Sequence, residues 1–353
     1  MKDSLALLSE ACAGRRPARP PLFDILQNDS VIEHFSGRRL DGSADWDVMI
    51  QATAAALDGT RSLAAPNRLG EQWKDEVGNV HEAVRWTSWV KQHAFTAAEQ
   101  WLSWIPGHIE RLDARSRPAP AEQRNERARQ QELVSHLDGG FYIHCTPSTA
   151  INTVMFGYRC GLDALPFLWA DEKELIQRWM RAVMSETLRY IELTSHAETG
   201  PLAMIYSDVA YHGKLMFSPS MMREMGFFED VEAICDACHR RGLTVIFHSD
   251  GYIMEILDGL VSCGIDGLNP LEKAAGMDIY ELRRRYPRLI LVGGVDVSRL
   301  MPFGTPQEVR QETRRIIEET GAEGRLLIGS STEIWDDIPL ANYLAFHDEA
   351  MKG

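Results

Sequence analysis

The chain lacks both the long apolar run of a membrane-spanning helix and the surplus of basic residues typical of nucleic-acid-binding proteins. No window in its 353 residues approaches the roughly 18–20 consecutive apolar residues that a span requires. The short apolar run at the N-terminus is broken by Ser9 and Glu10, unlike a signal peptide. The net charge of −14 argues against a nucleic-acid partner, which would need a basic face. We therefore expect a cytoplasmic protein with neither a membrane nor a nucleic acid as a partner.

The chain has few cysteines, and their spacing indicates neither a disulfide framework nor a zinc site. The six cysteines are scattered, and the pair Cys235 and Cys238 has no second CxxC to complete a zinc site. The sequence therefore predicts no disulfide scaffold, and small buried residues on a helix explain the pair. What the chain does contain is an ordinary globular composition, with 44% hydrophobic and 25% charged residues.

Eight short β-rich segments alternate with amphipathic stretches, which is the pattern of a parallel sheet covered by helices. Pro219 and Pro306 stand where a helix begins, and Gly242 and Gly321 stand just past helix ends, where a left-handed cap is expected. The pattern predicts a single α/β domain over residues 1–353, a (β/α)₈ TIM barrel, with a doubly wound sheet as the alternative. The predicted strands are 20–26, 60–66, 141–145, 202–208, 243–249, 265–271, 289–295 and 325–329.

A long stretch separates the second and third predicted strands. It contains EQWKDEVGNVHEAVRW and the polar run RLDARSRPAPAEQRNERARQQ. We expect a helical insertion at about 67–140, with one charged loop at 111–131. Because structureless loops of this length are uncommon in compact domains, the insertion is expected to be a lid or a dimer element rather than a second domain.

Polar residues at the carboxyl ends of the predicted strands are the candidates for a site. Barrel enzymes place their catalytic groups at these ends, so the side chains are expected to converge on one mouth. The polar residues at these positions are Asp24, Asn67, His144, Thr146, Asp208, His248, Asp250, Asn269, Glu272, Asp296, Ser330, Ser331, Thr332 and Glu333.

The segment FHSDG is the richest of these strand ends. His248 and Asp250 are two positions apart, so on a strand both point the same way and both can bind one ion. Glu272 is a candidate third metal ligand, and Glu333 or Thr332 a fourth. Oxygen and nitrogen ligands of this kind suit Zn²⁺, Fe²⁺ or Mn²⁺. The alternative is that His248 and Asp250 hydrogen-bond a substrate without a metal.

The other candidates follow the same logic. Asp208 ends a buried apolar strand, where a carboxylate is costly without a partner, so we predict a catalytic role for it and for Tyr211 in the following loop. His144 is alternatively a core histidine, and Asp296 is alternatively a helix cap. The predicted substrate-binding residues are Asp24, His144, His212, Asn269 and Asp296.

Two long segments resemble the uroporphyrinogen decarboxylase superfamily. They are SDVAYHGKLMFSPSMMREMGFFEDVEAICDACHRRGLTVIFHSDGYIMEILDGLVSCGIDGLNPLE and GGVDVSRLMPFGTPQEVRQETRRIIEETG, the latter followed by GSSTEIWDDIPLANYLAF. The start, RPPLFDIL, also fits, so the resemblance covers roughly residues 18–350 and is strongest from Ser207 onward. It implies a distorted (β/α)₈ barrel and a homodimer. The superfamily includes decarboxylases of haem synthesis and zinc-assisted methyltransferases that work with corrinoid proteins.

The haem-pathway decarboxylases carry an arginine-rich N-terminal motif close to RQAGRY, which grips the substrate carboxylates. This chain has FDILQNDSVIEHF after its first strand, and GSST where those enzymes have a GHG-like motif. Bidentate arginine forks are the physical means of holding many carboxylates. Together with the negative net charge, their absence disfavours the haem-pathway reaction.

Thiol-directed methyltransferases of the superfamily use a His-x-Cys pair and a later Cys as zinc ligands. The matching positions here are His248-x-Asp250, and Thr332 or Ser331 for the late Cys. The histidine is kept and both thiolates are lost, which leaves a harder oxygen and nitrogen site or a metal-free pocket.

The resemblance thus implies methyl transfer or demethylation of a small molecule. No Asp-x-His-x-x-Gly motif occurs, so the corrinoid is expected on a separate protein that docks at the barrel mouth. His248, Asp250 and Glu272 would hold Zn²⁺ or another divalent metal or polarise the methyl donor or acceptor, while Asp208 and Tyr211 would orient the substrate or move a proton. Two alternatives stay open, namely a decarboxylase acting on a small carboxylate and a catalytically silent binding protein.

Overall fold

The computed structural model describes residues 3–40 and 45–352, and short parallel strands alternate with helices along most of that length. The strands are β1 (Leu26–Gln27), β2 (Gly59–Thr60), β3 (Gln72–Lys74), β4 (Val80–Ala83), β5 (Ser88–Gln92), β6 (Phe141–Tyr142), β7 (Leu202–Tyr206), β8 (Ala210–Tyr211), β9 (Lys214–Leu215), β10 (Thr244–His248), β11 (Gly267–Asn269), β12 (Ile290–Val295), β13 (Leu326–Ser330) and β14 (Ile334–Trp335).

The helices cover the strands and fill most of the insertion. They are α1 (Ser4–Cys12), α2 (Asp29–Ser36), α3 (Trp46–Ala56), α4 (Ala98–Asp113), α5 (Pro120–Ser135), α6 (Ala150–Asn152), α7 (Gly161–Asp171), α8 (Lys173–Thr194), α9 (Pro219–Glu224), α10 (Phe227–His239), α11 (Leu257–Ser262), α12 (Ile279–Arg285), α13 (Leu300–Phe303), α14 (Pro306–Thr320) and α15 (Leu340–Ala350). A π-helical turn at Thr153–Gly157 and a 3₁₀ turn at Lys273–Ala275 complete the set.

The main sheet has five parallel strands in the order β13-β12-β11-β10-β7. The strands follow chain order with no reversal, whereas a doubly wound sheet reverses at a switch point, so this order disfavours that alternative. An unreversed run of parallel strands agrees with the predicted TIM-barrel α/β fold.

Elsewhere around the ring the strands are very short. β2 and β6 form a separate parallel pair, whereas isolated bridges link the predicted first strand to β2 and β13 and the predicted third strand to β7. In the part of the chain that the structure describes, no continuous ladder therefore closes the barrel. The parallel bridges are Leu22 with Ile328, Phe23 with Gly59, Cys145 with Ala203 and Ser148 with Tyr206.

Side chains alternate between an inner apolar layer and an outer layer under the helices. On β10, Ile246 belongs to the inner layer, while Val245 and Phe247 pack in the outer one. Because successive residues of a strand face opposite ways, His248 shares the inner side with Ile246. The inner layer comprises Leu8, Ala11, Phe23, Phe141, Ile143, Leu202, Met204, Ile246, Ile290, Val292 and Leu327.

Glycine at two strand positions allows this inner layer to close. A Cβ on Gly59 would lie 2.2 Å from the Phe141 ring, and a Cβ on Gly329 would lie 2.1 Å from the Phe23 carbonyl oxygen. Both distances are far below van der Waals contact, so only glycine fits there. The Phe23 and Phe141 rings stack with their centroids 6.1 Å apart as a result of this close approach.

The helix-boundary predictions succeed at three of the four positions. Pro219 and Pro306 begin α9 and α14, and Gly242 has a left-handed φ of +77°. The left-handed cap predicted at Gly321 is wrong, because its φ is −103°. Glycine is required there by crowding instead, since a Cβ would lie 2.9 Å from the Ile317 carbonyl oxygen.

The insertion differs from the prediction in two ways. The stretch predicted to be helical forms an antiparallel sheet, β3-β4-β5, with a tight turn in which Asp75 Oδ1 accepts N–H groups from Val77, Gly78 and Asn79. Backbone N–H groups satisfied by an aspartate favour a turn over a helix.

The charged loop predicted at 111–131 is mostly helix, in α4 and α5, which suits its alanine, glutamate, glutamine and arginine content. Within residues 3–40 and 45–352, no helix is long and apolar enough to cross a membrane.

Candidate active site

Three side chains at adjacent strand ends meet above the inner layer. His248 is the last residue of β10, Asp250 follows it by two positions, and Asp208 follows the end of β7. One nitrogen or oxygen from each lies within 4.8 Å of the others, a spacing at which the three can hold a metal ion. The structure therefore brings together two of the predicted metal ligands, His248 and Asp250, with the predicted catalytic residue Asp208.

The two ring nitrogens of His248 have different surroundings. Nδ1 lies 2.7 Å from Asn269 Oδ1, and Asn269 Nδ2 donates to the Val292 carbonyl oxygen at 3.2 Å. Since Asn269 uses its amide N–H elsewhere, its oxygen accepts from His248 Nδ1–H, and Nε2 carries the lone pair. Burial, followed by the charge of Arg61, lowers the pKa of His248 to about 3. The imidazole is therefore neutral.

The free lone pair of His248 faces a carboxylate. Nε2 lies 3.7 Å from Asp208 Oδ1, too far for a hydrogen bond, although the His248 side chain is only 5% exposed. A lone pair aimed at a carboxylate oxygen is unfavourable unless a cation or a proton lies between them. This geometry fits a metal ion, and it identifies Nε2 as the nitrogen that would bind it.

Both carboxylates of the cluster have a raised pKa, and the Asp208 carboxylate also accepts a backbone hydrogen bond. The Asp250 N–H donates to Asp208 Oδ1 at 3.1 Å, and burial raises the pKa of Asp208. Asp250 is exposed as a residue, but partial desolvation of its carboxylate and the charges of Asp208, Glu272 and Glu333 raise its pKa to about 7. The site thus holds more negative charge than its surroundings stabilise.

Glu272 and Glu333 lie beside the cluster but are engaged otherwise. Glu272 Oε2 accepts the Gly251 N–H at 2.7 Å, which anchors the loop that carries Asp250. Glu333 Oε1 accepts from Arg61 Nη2 at 3.3 Å. Neither contributes to the three-residue cluster, so their role as metal ligands stays a prediction.

Arg61 is the site residue that sequence reasoning missed. The second strand was predicted to run to residue 66, which nominated Asn67, but β2 ends at Thr60 and Arg61 is the true strand-end residue. Its guanidinium lies 4.7 Å from the centroid of the Tyr206 ring, which is itself 4.3 Å from the His248 ring. Asn67 instead donates to the Val84 and Thr87 carbonyl oxygens in the insertion.

Asp24 lies in the wall of the barrel rather than in the recess. Its oxygens accept from the backbone N–H and hydroxyl of Ser330 and from the Ile25 N–H, at 2.7–2.9 Å. Its neighbour Phe23 faces inward, and the charge of Asp24 acts on Tyr343 of α15, which places Asp24 on the helix side. These contacts fasten the first strand to the last and favour a structural role.

The remaining candidates do not join the cluster. His144 lies beside Tyr142 and lines a separate cavity of about 650 Å³ next to α3 and α5. Asp296 accepts the Ser298 and Leu300 N–H groups, as a cap would, and it lines another cavity of about 880 Å³ with His212. Tyr211 is 42% exposed in the β8–β9 hairpin.

Comparison with known proteins identifies the family. The sequence model described as uroporphyrinogen decarboxylase (URO-D) matches residues 153–352, more than half of the chain. The chain belongs to the uroporphyrinogen decarboxylase family. This confirms the resemblance inferred from the sequence, and the matched region contains Asp208, His248 and Asp250 but neither Arg61 nor Asp24.

The fold of this URO-D family chain also matches a solved structure. A methyltransferase from Methanosarcina mazei superposes with a TM-score of 0.68 at 14% sequence identity, covering 99% of this chain and 98% of that one. A search of curated proteins finds no match. At this identity the likeness concerns the fold, and the family supports an enzymatic function.

Proposed function

We propose that this chain is a methyltransferase that moves a methyl group between a small molecule and a corrinoid carried by a separate protein. A divalent metal at Asp208, His248 and Asp250 assists the reaction. The observation that supports this most is the neutral His248 imidazole, whose unpartnered Nε2 faces two carboxylates. The structural neighbour from Methanosarcina mazei is a methyltransferase, which supports the choice of methyl transfer among the reactions of the family.

The donor set fits a hard or borderline metal ion. One imidazole nitrogen and two carboxylates suit Zn²⁺, Mn²⁺ or Fe²⁺, and a divalent ion would balance the charges of Asp208 and Asp250. No cysteine belongs to the cluster among the described residues. The proposed site therefore differs in chemistry from a thiolate-rich zinc site, and we infer that the substrate presents oxygen rather than sulfur to the metal.

A bound divalent ion would supply Lewis acidity to the oxygen that carries the methyl group. The residues of the chain prepare this step by positioning. Asn269 fixes the His248 tautomer, the Asp250 N–H orients Asp208, and Glu272 holds the loop at Gly251. Hydrogen bonds of this kind, made to the ligand residues by groups behind them, keep the ligands in a productive geometry.

The corrinoid would come from a partner protein. The chain has no Asp-x-His-x-x-Gly motif of its own, and the strand-end cluster lies at the mouth, where a partner can reach it. The homodimer implied by the sequence resemblance stays a prediction.

The test measures metal content and methyl transfer on the same preparations. We expect near-stoichiometric Zn²⁺, Mn²⁺ or Fe²⁺ in the wild type, loss of the metal in His248→Gln, and retention in His239→Gln, a control in which the altered histidine pairs with Asp266 on the surface. Free cob(I)alamin serves as the methyl acceptor, with anisole and methoxybenzoates as donors. A metal-free wild type, or unchanged turnover in His248→Gln, would reject the metal-assisted mechanism.

A decarboxylase acting on a small carboxylate is the second candidate. The raised pKa of Asp250, about 7, leaves part of its population protonated at neutral pH, and such a group can protonate the carbanion left when CO₂ departs. CO₂ release from a candidate acid without any corrinoid would favour this reaction over methyl transfer.

A further inference from the structure

Arg61 is a half-buried cation, and most of its N–H groups donate to no other residue that the structure describes. Its side chain is 12% exposed, and a guanidinium carries five N–H donors. Among the residues that the structure describes, only Glu333 accepts from it, and that contact is long at 3.3 Å. No Arg61 nitrogen is among the buried polar atoms left without a partner in the described residues, so its remaining N–H groups are open to solvent and can donate to an acceptor that enters the recess.

The surroundings hold the guanidinium in a fixed orientation. The Tyr206 ring covers one face at 4.7 Å from the centroid, so the N–H groups along the edges stay available. Tyr206 Oη is itself buried without a hydrogen-bond partner among the described residues. The Tyr206 ring contacts both the Arg61 guanidinium and the His248 ring, so the unpartnered hydroxyl and the open guanidinium N–H groups lie beside the metal-ligand cluster and indicate a subsite for a polar ligand.

The charges around Arg61 indicate whether that ligand is an anion or a cation. The charges of Glu333, Asp250, Asp208 and Asp24, in decreasing order of effect, act on Arg61, so the recess alone is negative and would repel an anion. A divalent ion at the proposed site would offset the excess and leave the guanidinium free to attract a negative group. A planar guanidinium fork matches a carboxylate in geometry and binds it through two parallel hydrogen bonds.

We propose that Arg61 is the specificity-determining residue of this site and that it binds the carboxylate of a small-molecule substrate. The inference rests on the proposed metal-assisted function and names its substrate class, a small organic acid whose carboxylate replaces the long contact to Glu333. The carboxylate occupies the Arg61 side of the recess, and the reacting end faces His248.

The test compares an acid with its uncharged counterpart. Benzoate and benzamide are titrated by calorimetry into Zn²⁺-loaded wild type, Arg61→Gln, Arg61→Lys and Arg178→Gln, the last being a control at an exposed arginine of α8. We expect the wild type and the control to prefer benzoate at least tenfold. Arg61→Gln should lose the preference, and Arg61→Lys should retain only part of it, because lysine keeps the charge but not the fork.

The zinc content of each preparation is measured beside the binding. An unchanged preference for benzoate in Arg61→Gln, or no preference in a zinc-containing wild type, would overturn the role of Arg61 while leaving the metal site intact. If the wild type does not retain zinc, the proposed metal-assisted function is rejected. A preference for benzoate that persists without zinc and is lost in Arg61→Gln would then support the carboxylate subsite alone. Equal loss of zinc and of benzamide binding in Arg61→Gln would reduce Arg61 to a counter-ion and reject the proposal.

Discussion

The Nδ1 of His248 and the Oδ1 of Asn269 lie 2.7 Å apart, and this contact decides which face of the imidazole is available. Because the Asn269 amide also donates to the Val292 carbonyl, its oxygen is fixed toward the histidine. Asn269, at the end of β11, thereby sets the tautomer of His248, at the end of the neighbouring strand β10. The lone pair on Nε2 is a consequence of sheet register, since His248 and Asn269 are paired across β10 and β11.

Removal of this contact should weaken the metal site. We expect Asn269→Ala to lower affinity for the bound divalent ion by about 10–100-fold, the usual effect of losing an outer-shell partner. Competition with a chromogenic chelator measures the change. Asn342→Ala is a matched control, because Asn342 is a buried asparagine that donates to the Met301 and Gly304 carbonyl oxygens away from the site. Equal affinities in the two variants would contradict the positioning role.

The inner layer should be intolerant of a single added methyl group at Gly59. A Cβ there would overlap the Phe141 ring, so we expect Gly59→Ala to reduce the free energy of unfolding by about 1–3 kcal/mol. Gly107→Ala in α4 meets nothing closer than 3.6 Å and should stabilise the protein by about 0.5–1 kcal/mol, because alanine lowers the conformational entropy of the unfolded chain. Urea unfolding of both variants tests the contrast, and a stable Gly59→Ala would mean that the barrel wall can yield.

His108 should make the protein less stable in mild acid. Its Nδ1 accepts the Trp179 Nε1–H at 3.0 Å, and burial, with the charges of Arg111 and Arg115, lowers its pKa to about 4. Between this value and the unfolded value near 6.5, the unfolded chain binds more protons, so stability falls as pH falls. We expect the acid-induced decrease in the free energy of unfolding to be smaller by about 2 kcal/mol in His108→Gln. Glutamine can still accept the hydrogen bond from Trp179, but it does not titrate.

The comparison for His108 requires two pH values. The difference in unfolding free energy between wild type and His108→Gln is measured by urea denaturation at pH 7 and pH 4.5. A difference that stays constant would indicate that His108 is protonated equally in both states.

The sequence predicted the site best where apolar strands are long. β7, β10 and β12 are five or six residues of nearly continuous apolar character, so their carboxyl ends, and with them Asp208 and His248, could be located. Parallel strands buried on both faces have this composition for a physical reason, since neither side meets water.

Sequence-based prediction was least accurate for strands whose boundaries depend on pairing with distant residues rather than on apolar composition. β2 consists of Gly59 and Thr60 alone, and its boundary follows from partners on β6 that lie far away in sequence. Arg61 was therefore missed because the predicted strand end, residue 66, lies six residues beyond the observed end at Thr60. The antiparallel sheet of the insertion was missed because its strands offer little apolar alternation, since Gln72–Lys74 is exposed throughout and Val80–Ala83 buries His81 and Ala83 rather than large apolar side chains.

Asp24 should make stability depend on pH in the opposite sense to His108. Burial raises its pKa to about 7, against an unfolded value of 3.8, although Ser330 and Ile25 donate to its oxygens. The stability associated with the protonated form is complete below pH 3.8 and is lost as pH rises through 7. Asp24→Asn cannot ionise, so it should gain about 2–4 kcal/mol relative to the wild type between pH 4 and pH 8.

The pH dependence separates the charge of Asp24 from its hydrogen bonds. An asparagine amide must face one of the Ser330 donors, which costs stability at every pH, and this constant cost cancels when the same pair of proteins is compared at two pH values. Urea unfolding of wild type and Asp24→Asn at pH 4 and pH 8 gives the two differences. If they are equal, Asp24 is ionised in the folded protein across this range, and the bonds to Ser330 must stabilise its charge more than burial opposes it.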